Sequence, residues 1–369
     1  MDLFIWIFLT LTLTCWMAGW GMFLRFRGVP AAGPGTPLPQ VNISIVIPAR
    51  NEEENLSRLL PSLSKQDFAP HEVIVVNDHS DDRTGAVAEA HGALVVTGKE
   101  LPEDWYGKPW ACQQGADAAT GDWLLFLDAD VVMDSDGLQR IAALARDESS
   151  VHSICPYHRI GRLYEELSVF FNVIMLLGMN AFTAKGGAAK GIGLFGQAMF
   201  LSRRNYDLVG GHARVRREVL ENFHLARFFR EAGVACRCYL GKGTLSMRMF
   251  PGGWRDLVAG WSKGFVSGAD NTALSAMVGI SIWLSGLIMT GVALTFLPMA
   301  GSEARLGIAL IYALGAIQCL YVFKRAGNFS FLNAFFFPVT LAFYQWVFFQ
   351  AIRRRRSGGQ IKWKGRHVG

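Results

Sequence analysis

Asp128 and Asp130 are separated by one residue and follow the apolar run Leu124-Leu125-Phe126-Leu127. On an extended backbone, residues two apart point the same way, so both carboxylates can reach one divalent cation. Mg²⁺ and Mn²⁺ take oxygen ligands and are commonly shared with substrate phosphates, so such a pair suits the clamping of a diphosphate. A lone Asp-x-Asp is common in surface turns, and what distinguishes this one is its company. Pro48-Ala49-Arg50-Asn51-Glu52 and Asn77-Asp78-His79-Ser80-Asp81-Asp82 also follow short apolar runs, and together they hold more acid than strand ends need. Short polar side chains at such positions can also cap helices by accepting first-turn N–H groups. Asp81 is assigned to that role, and Asp78 to ligand binding.

These residues need strands to carry them. Ile43 to Ile47, Glu72 to Val76, Ala93 to Val96 and Trp123 to Leu127 read as strands, and Glu52 to Ser64, Asp81 to His91 and a stretch around Trp110 to Ala119 as helices. Apolar strands alternating with helices imply an α/β domain with a mostly parallel sheet covered on both faces. Ligands of such sheets bind outside the carboxyl ends of the strands, where the three acidic loops lie. Gly28 to Gln40, rich in Gly and Pro, reads as a linker.

Of the 369 residues, 51% are hydrophobic, which is too apolar for an ordinary soluble enzyme. Leu3 to Met22 carries no charge, and about 20 helical residues span the ~30 Å core of a bilayer. Asp2 precedes this run while Arg25 and Arg27 follow it, the arrangement of an uncleaved anchor with a cytoplasmic C-terminal side rather than of a signal peptide. Three more apolar stretches, Ala273 to Met299, Leu306 to Phe323 and Phe331 to Ile352, occupy the last third. An anchor plus three crossings would put Arg353 to Arg356 outside, against the positive-inside tendency, so one stretch is expected not to cross. Asn333 and Pro338 make the last stretch a candidate re-entrant or interfacial hairpin, and Tyr164 to Phe182 could lie along the membrane surface or cross it.

The net charge of +6 is concentrated in Arg353 to Arg356, Lys362, Lys364 and Arg366, a cluster suited to anionic lipid headgroups. No aromatic-rich basic surface accompanies it, so nucleic acid is not an expected partner. The six cysteines show no C-x-x-C spacing, which argues against a zinc site and for a reduced, cytoplasmic setting.

Four motifs in order, Val46-Ile47-Pro48-Ala49-Arg50-Asn51-Glu52-Glu53, Val75-Val76-Asn77-Asp78-His79-Ser80-Asp81-Asp82, Gly107-Lys108-Pro109-Trp110-Ala111 and Leu127-Asp128-Ala129-Asp130, resemble family 2 of the inverting GT-A glycosyltransferases. Phe250-Pro251-Gly252-Gly253, Gly260-Trp261-Ser262-Lys263-Gly264 and Trp363-Lys364-Gly365-Arg366 resemble a narrower membrane subgroup that includes carotenoid-acid and hopanoid-associated glycosyltransferases. The resemblance implies a GT-A domain over 41–268, with interfacial helices near 163–183 and 253–265. Around it would stand an anchor (1–24), a linker (25–40), C-terminal membrane helices (269–352) and a basic tail (353–369). It implies a multi-pass cell-membrane protein with a cytoplasmic catalytic domain, using a UDP-sugar, with UDP-glucose favoured, and a lipid-like acceptor.

By the same resemblance, Pro48, Ala49, Glu52 and Asp78 hold the donor's uridine end, Lys108 contacts the donor, and Asp130 with Asp128 binds the Mg²⁺ or Mn²⁺ and the sugar diphosphate. Arg255 and Trp261 stand where the family often places a pair that closes over the donor, although the full signature is missing and Trp261 equally suits an interfacial anchor. Gln197, in Gly196-Gln197-Ala198-Met199 at the start of another strand, is expected on the acceptor side. Core packing is an equal reading for Met199.

The base departs from the family pattern. Members usually carry Glu-Asp ahead of a helix, with the Asp as base, but here the stretch is Val219-Leu220-Glu221-Asn222-Phe223-His224-Leu225-Ala226-Arg227, and Asn222 cannot take a proton. Glu221 is the first candidate and His224, on nearly the same helical face, the second. The bland alternative is that both decorate an exposed helix. An acceptor carboxylate, already ionised at neutral pH, would need no strong base. Two other functions compete: a phosphohydrolase of the haloacid-dehalogenase type with Asp128 as nucleophile, and a catalytically silent nucleotide-binding scaffold.

Overall fold

The computed structural model describes residues 2–31, 33, 37–186, 189, 191–218, 220–356, 361–363 and 366–368. The chain divides into two compact units, one made of Arg27–His158 and Ile192–Arg248, the other of Met1–Phe26, Arg159–Gly191 and Met249–Gly369. The expected 41–268 domain differs from this division, because 159–191 and 249–268 group with the long apolar helices.

The first unit is built on ten strands: β1 (Ile43–Ala49), β2 (Glu72–Asn77), β3 (Leu94–Thr97), β4 (Trp123–Leu127), β5 (Val131–Met133), β6 (Ser150–Cys155), β7 (Tyr157–His158), β8 (Ala198–Ser202), β9 (Ala235–Leu240) and β10 (Leu245–Met247). Seven form one sheet in the order β3-β2-β1-β4-β8-β6-β9, and β5-β10-β7 form a smaller one. Only β8 runs against its neighbours in the large sheet; the other pairs are parallel. Every residue of β4 is buried and six of seven in β1, because both faces of these central strands are covered. β1 sits between β2 and β4, with Ala49 opposite Asn77 and Val46 opposite Phe126, so the three acidic loops leave one edge of the sheet side by side.

The helix Glu53–Ser64 buries Leu56, Leu59, Leu60 and Leu63. The helix Gly107–Ala118 lies against β1 and β2 so closely that a Cβ on Gly115 would stand 2.3 Å from Cγ1 of Val46. It starts before Trp110, which places Lys108 in its first turn, and Pro109 suits that turn because its missing N–H would have no helical partner. The helix expected from Asp81 starts later, at Thr84. Asp82, not Asp81, serves its start: one carboxylate oxygen accepts the N–H of Thr84 at 2.9 Å and the other that of Glu53 at 3.2 Å.

The second unit is helical apart from a short antiparallel pair, Ile361–Trp363 with Arg366–Val368. Asp2–Phe23, Leu274–Met299 and Ser302–Ala326 are long and apolar enough to cross a membrane. The ambiguous segment 164–182 resolves into a 3-10 turn, Leu163–Ser168, and the ten-residue helix Val169–Gly178. That helix is about 15 Å long, half of a bilayer core, so it does not cross. Trp254–Asn271 forms a further helix, and the last apolar stretch breaks at Phe336 into Phe331–Phe335 and Phe337–Arg356.

Candidate active site

The carboxyl ends of the central strands gather one ammonium group and two carboxylates. Nζ of Lys108 lies 2.6 Å from Oδ1 of Asp128 and 3.6 Å from Oε1 of Glu221, and donates to the carbonyl of Gly196 at 3.4 Å. Asn222 donates its amide to the same Glu221 oxygen at 3.3 Å. Pro48, Cys112, Met199 and His212 line the same small cavity. Burial works against the charge of Lys108, but Asp128 and Glu221 outweigh it and raise its pKa, so the ammonium is firmly protonated. Glu221 is buried, and that burial raises its carboxyl pKa even against the pull of Lys108. Burial also pushes up the thiol of Cys112, which removes it as a nucleophile near neutral pH. His212 is held neutral, its pKa lowered to about 3 by burial and then by Lys108, while its Nδ1 meets the hydroxyl of Tyr206 at 2.9 Å.

Asp130 is the unsatisfied member. Its Oδ1 is buried without a hydrogen-bond partner, and burial, then Asp128, then Glu52 raise its pKa to about 7. A buried carboxylate oxygen with no donor, next to two further carboxylates, is costly unless a cation joins them. The residues present therefore fit the expected Mg²⁺ or Mn²⁺, with Asp130 and Asp128 as its ligands. No group of three His, Cys, Asp or Glu arranged as metal ligands occurs among the described residues. Oxygens of substrate and water would complete the shell, as hard cations commonly require.

The two upstream loops are stitched together. The N–H of Asp78 donates to the carbonyl of Ala49 at 2.8 Å, and Nη1 of Arg50 lies 3.8 Å from Oδ2 of Asp78. Asn51 and His79 both adopt left-handed backbone, at φ 53° and 54°. Such values are uncommon outside glycine, though Asn and His are enriched among the exceptions. The turn lets Asn51 accept the N–H of Asp81 at 2.8 Å and donate its own to Ser80 at 3.0 Å. Glu52 donates its N–H to Thr84 at 2.9 Å, and its carboxylate accepts from Asn55 at 2.6 Å.

Of the other expected residues, some adjoin this cavity and others do not. Nε2 of His224 meets Glu218 at 3.1 Å, and the residue does not line the cavity. Gln197 gives its carbonyl to the N–H of Asp128 at 2.9 Å, and its side-chain Oε1 is buried without a hydrogen-bond partner. Met199 is buried in β8 and also lines the cavity. Arg255 and Trp261 belong to the helical unit. Arg255 is exposed, while Trp261 is buried, stacks on Phe171 at 5.0 Å and donates to Ser168 at 3.0 Å. Val219 of the base segment and Lys364-Gly365 of the tail motif lie outside the described residues.

His212 and the Gly196 carbonyl were not among the expected site residues. Cys112 could have been found, since it lies one helical turn beyond Lys108. For His212 the sequence carries no signal, because only the chain's return through 211–215 brings it beneath Phe126.

Comparison with known proteins points the same way. The family described as Glycosyl transferase family 2 matches residues 44–224. The 4,4'-diaponeurosporenoate glycosyltransferases of Staphylococcus aureus strains MRSA252 and USA300 are each 32% identical over 332 residues, spanning 88% of this chain and 87% of theirs. The solved mannosyltransferase PcManGT from Pyrobaculum calidifontis, in complex with GDP-Man and Mn²⁺, shares the fold with a TM-score of 0.53 at 16% identity, over 96% of this chain and 100% of that one.

Proposed function

The chain belongs to glycosyl transferase family 2 and is a glycosyltransferase with a GT-A fold, and from that premise we propose that it moves a sugar from a UDP-sugar to a lipid-like acceptor at a membrane. Membership in this family displaces the phosphohydrolase and scaffold alternatives. Glucose is the favoured sugar, and a carotenoid acid is the favoured acceptor because the relatives named for diaponeurosporenoate align over most of both chains. The observation that carries the reading is the buried, unpartnered oxygen of Asp130 beside Asp128 at the mouth of the parallel sheet.

A bound Mg²⁺ or Mn²⁺, held by Asp130 and Asp128, would supply Lewis-acid neutralisation of the charge that grows on the departing diphosphate. Lys108 fixes Asp128 and adds a permanent positive charge beside it. Pro48, Ala49, Glu52 and Asp78 stand at the ends of β1 and β2, where they would hold the uridine. Glu221 is the base: its buried carboxylate takes the proton of an acceptor hydroxyl as that oxygen bonds to the anomeric carbon. The bond from that carbon to the diphosphate breaks on the opposite face, the electron pair leaves with UDP, and the configuration inverts. With a carboxylate acceptor there is no proton to remove. Gln197 is assigned to the acceptor side, and Arg255 to closure over the donor. The contacts of Trp261 favour packing among the apolar helices.

The chain is read as multi-pass with its catalytic unit in the cytoplasm, since Arg25 and Arg27 follow the first apolar helix directly and Arg353 to Arg356 close the last. Binding of UDP to detergent-solubilised protein, with and without Mn²⁺, tests the donor site. Wild type is expected to bind only with metal, and Asp130→Ala to lose that binding. Failure of wild type to bind UDP under any metal condition would overturn the reading.

A further inference from the structure

We propose that residues 327–356 form a re-entrant hairpin that enters and leaves the bilayer at one face, so that the chain crosses three times and its basic end returns to the side of Arg25. The inference rests on the membrane reading above and adds a surface committed to the acyl chains of a single leaflet.

The three long helices fix the two faces. Oδ1 of Asp2, at the start of the first helix, accepts the N–H of Gly301, just before Ser302–Ala326, at 3.2 Å. The beginning of the first helix and the turn between the other two therefore share one end. At the other end Trp20 meets Tyr321 at 5.1 Å, and the guanidinium of Arg325 lies 3.9 Å over the same ring. Lys324 and Arg325 thus end the third helix at the face where Arg25 ends the first.

The chain then turns back on itself. Asn328 pairs with both backbone groups of Ile160, at 2.6 and 3.3 Å, and Ser330 N and Asn333 Nδ2 donate to the carboxylate of Glu166 at 3.0 and 2.7 Å. From there Phe331–Phe335 runs back along the helix just left: the hydroxyl of Tyr312 donates to the carbonyl of Phe335 at 2.6 Å, and its ring lies 5.4 Å from that of Phe337. Tyr312 stands near the middle of its 25-residue helix, about 20 Å from the Ala326 end. The break at Phe336 therefore sits at mid-bilayer depth. The return is equally marked. Tyr344 packs on Phe171 at 5.0 Å, while the adjacent Phe170 packs on Phe323 at 5.4 Å, so Tyr344 is already back near the Ala326 end.

A helix break at that depth is tolerable only where its polar groups find partners. Here Tyr312 satisfies the Phe335 carbonyl, Ser330 accepts the N–H of Asn333 at 3.2 Å, Thr340 donates to Asn333 at 3.0 Å, and Pro338 brings no N–H. Phe331, Leu332, Phe335, Phe336, Val339 and Phe349 are left exposed on this arm. The spanning helices likewise leave large apolar side chains exposed, Leu306, Leu310 and Ile317 among them, which is why acyl chains are the occupant of both.

Single cysteines in the full-length protein test the path. Lys65→Cys marks the catalytic unit, Ser302→Cys the turn beside Asp2, and Ser357→Cys the tail; each is labelled with a membrane-impermeant maleimide in right-side-out and in inverted vesicles, with unmodified protein as background. The expected result is Lys65 and Ser357 on one side and Ser302 on the other. Ser357 on the side of Ser302 would overturn the hairpin, whereas Lys65 and Ser302 on the same side would overturn the membrane reading beneath it. A nitroxide on Phe336→Cys, or on Val339→Cys should the first not fold, separates a re-entrant from a surface-lying arm. Accessibility to oxygen well above that to a water-soluble nickel chelate is expected, and the reverse order would sink the proposal.

Discussion

At Lys108 one ammonium group serves two carboxylates, and its distances rank them: Asp128 at 2.6 Å is held, Glu221 at 3.6 Å is steadied but not consumed. A base needs that freedom, since a carboxylate locked into a short ion pair is a poor proton acceptor. Glu221→Gln keeps the shape and the hydrogen bond from Asn222 while removing the proton site. With an acceptor that brings a hydroxyl, turnover at saturating donor should fall by roughly 10²–10⁴-fold, the usual worth of general-base help. His224→Gln should stay within a few-fold of wild type, because that ring is occupied by Glu218. An equal loss in both variants would remove Glu221 from the role. The sequence ranked Glu221 first and His224 second as candidate bases, but positions three apart share a helical face and both remained possible. What separates them is the start of the helix, which opens at Glu221 and turns this residue, and not His224, into the cavity.

At the scale of elements, β1, β2 and β4 were readable to within a residue or two, since continuous apolar runs between turn residues have few other interpretations. Helix starts were less legible. Asp81 and Asp82 are chemically equivalent caps on paper, and what decides between them is that Asp82 accepts both the N–H of Thr84 and that of Glu53, the first residue of another helix. Gly115 was equally silent in the sequence, although it sets the distance between its helix and the sheet. Gly115→Ala forces a methyl to within 2.3 Å of fully buried Val46, and such overpacking costs about 1–3 kcal/mol, a loss of several degrees in Tm by differential scanning fluorimetry. Acid sensitivity belongs to this scale too. His152 is buried on β6 and its pKa falls from 6.5 to about 4, burial being the main cause. The unfolded chain therefore binds a proton in that window while the folded one does not. Its contribution to stability is complete above about pH 6.5 and is lost as pH falls towards 4. Wild type should lose Tm between about pH 7 and 5, and His152→Gln should show a shallower slope from a lower starting point. A residual slope is expected from His212, which is buried and neutral for the same reason.

At the scale of the whole chain, hydropathy identified four apolar stretches but could not say how they meet, because every apolar face satisfies lipid equally well. Partnership is decided instead by the few polar groups among them. Gln318 sits fully buried in Ser302–Ala326, accepts the indole N–H of Trp283 at 2.8 Å, and donates to the carbonyl of Trp16 at 3.1 Å. Trp16 in turn donates to the carbonyl of Leu314 at 3.0 Å. One amide thus ties the first helix to two that lie nearly three hundred residues later, so the N-terminal helix is an integral member of this bundle and more than a tether. Gln318→Leu roughly preserves volume and makes the helix more apolar, but strands the indole N–H of Trp283 in an apolar setting. Interhelical hydrogen bonds of this kind are worth about 0.6–2 kcal/mol. The variant should therefore insert and express normally yet unfold at a lower temperature in detergent. The linker that follows the first helix should also become more sensitive to protease than in wild type, because the helix it leaves is no longer pinned. Unchanged melting with unchanged proteolysis would show that apolar packing alone holds the first helix, and that Gln318 is a tolerated polar residue with no part in the assembly.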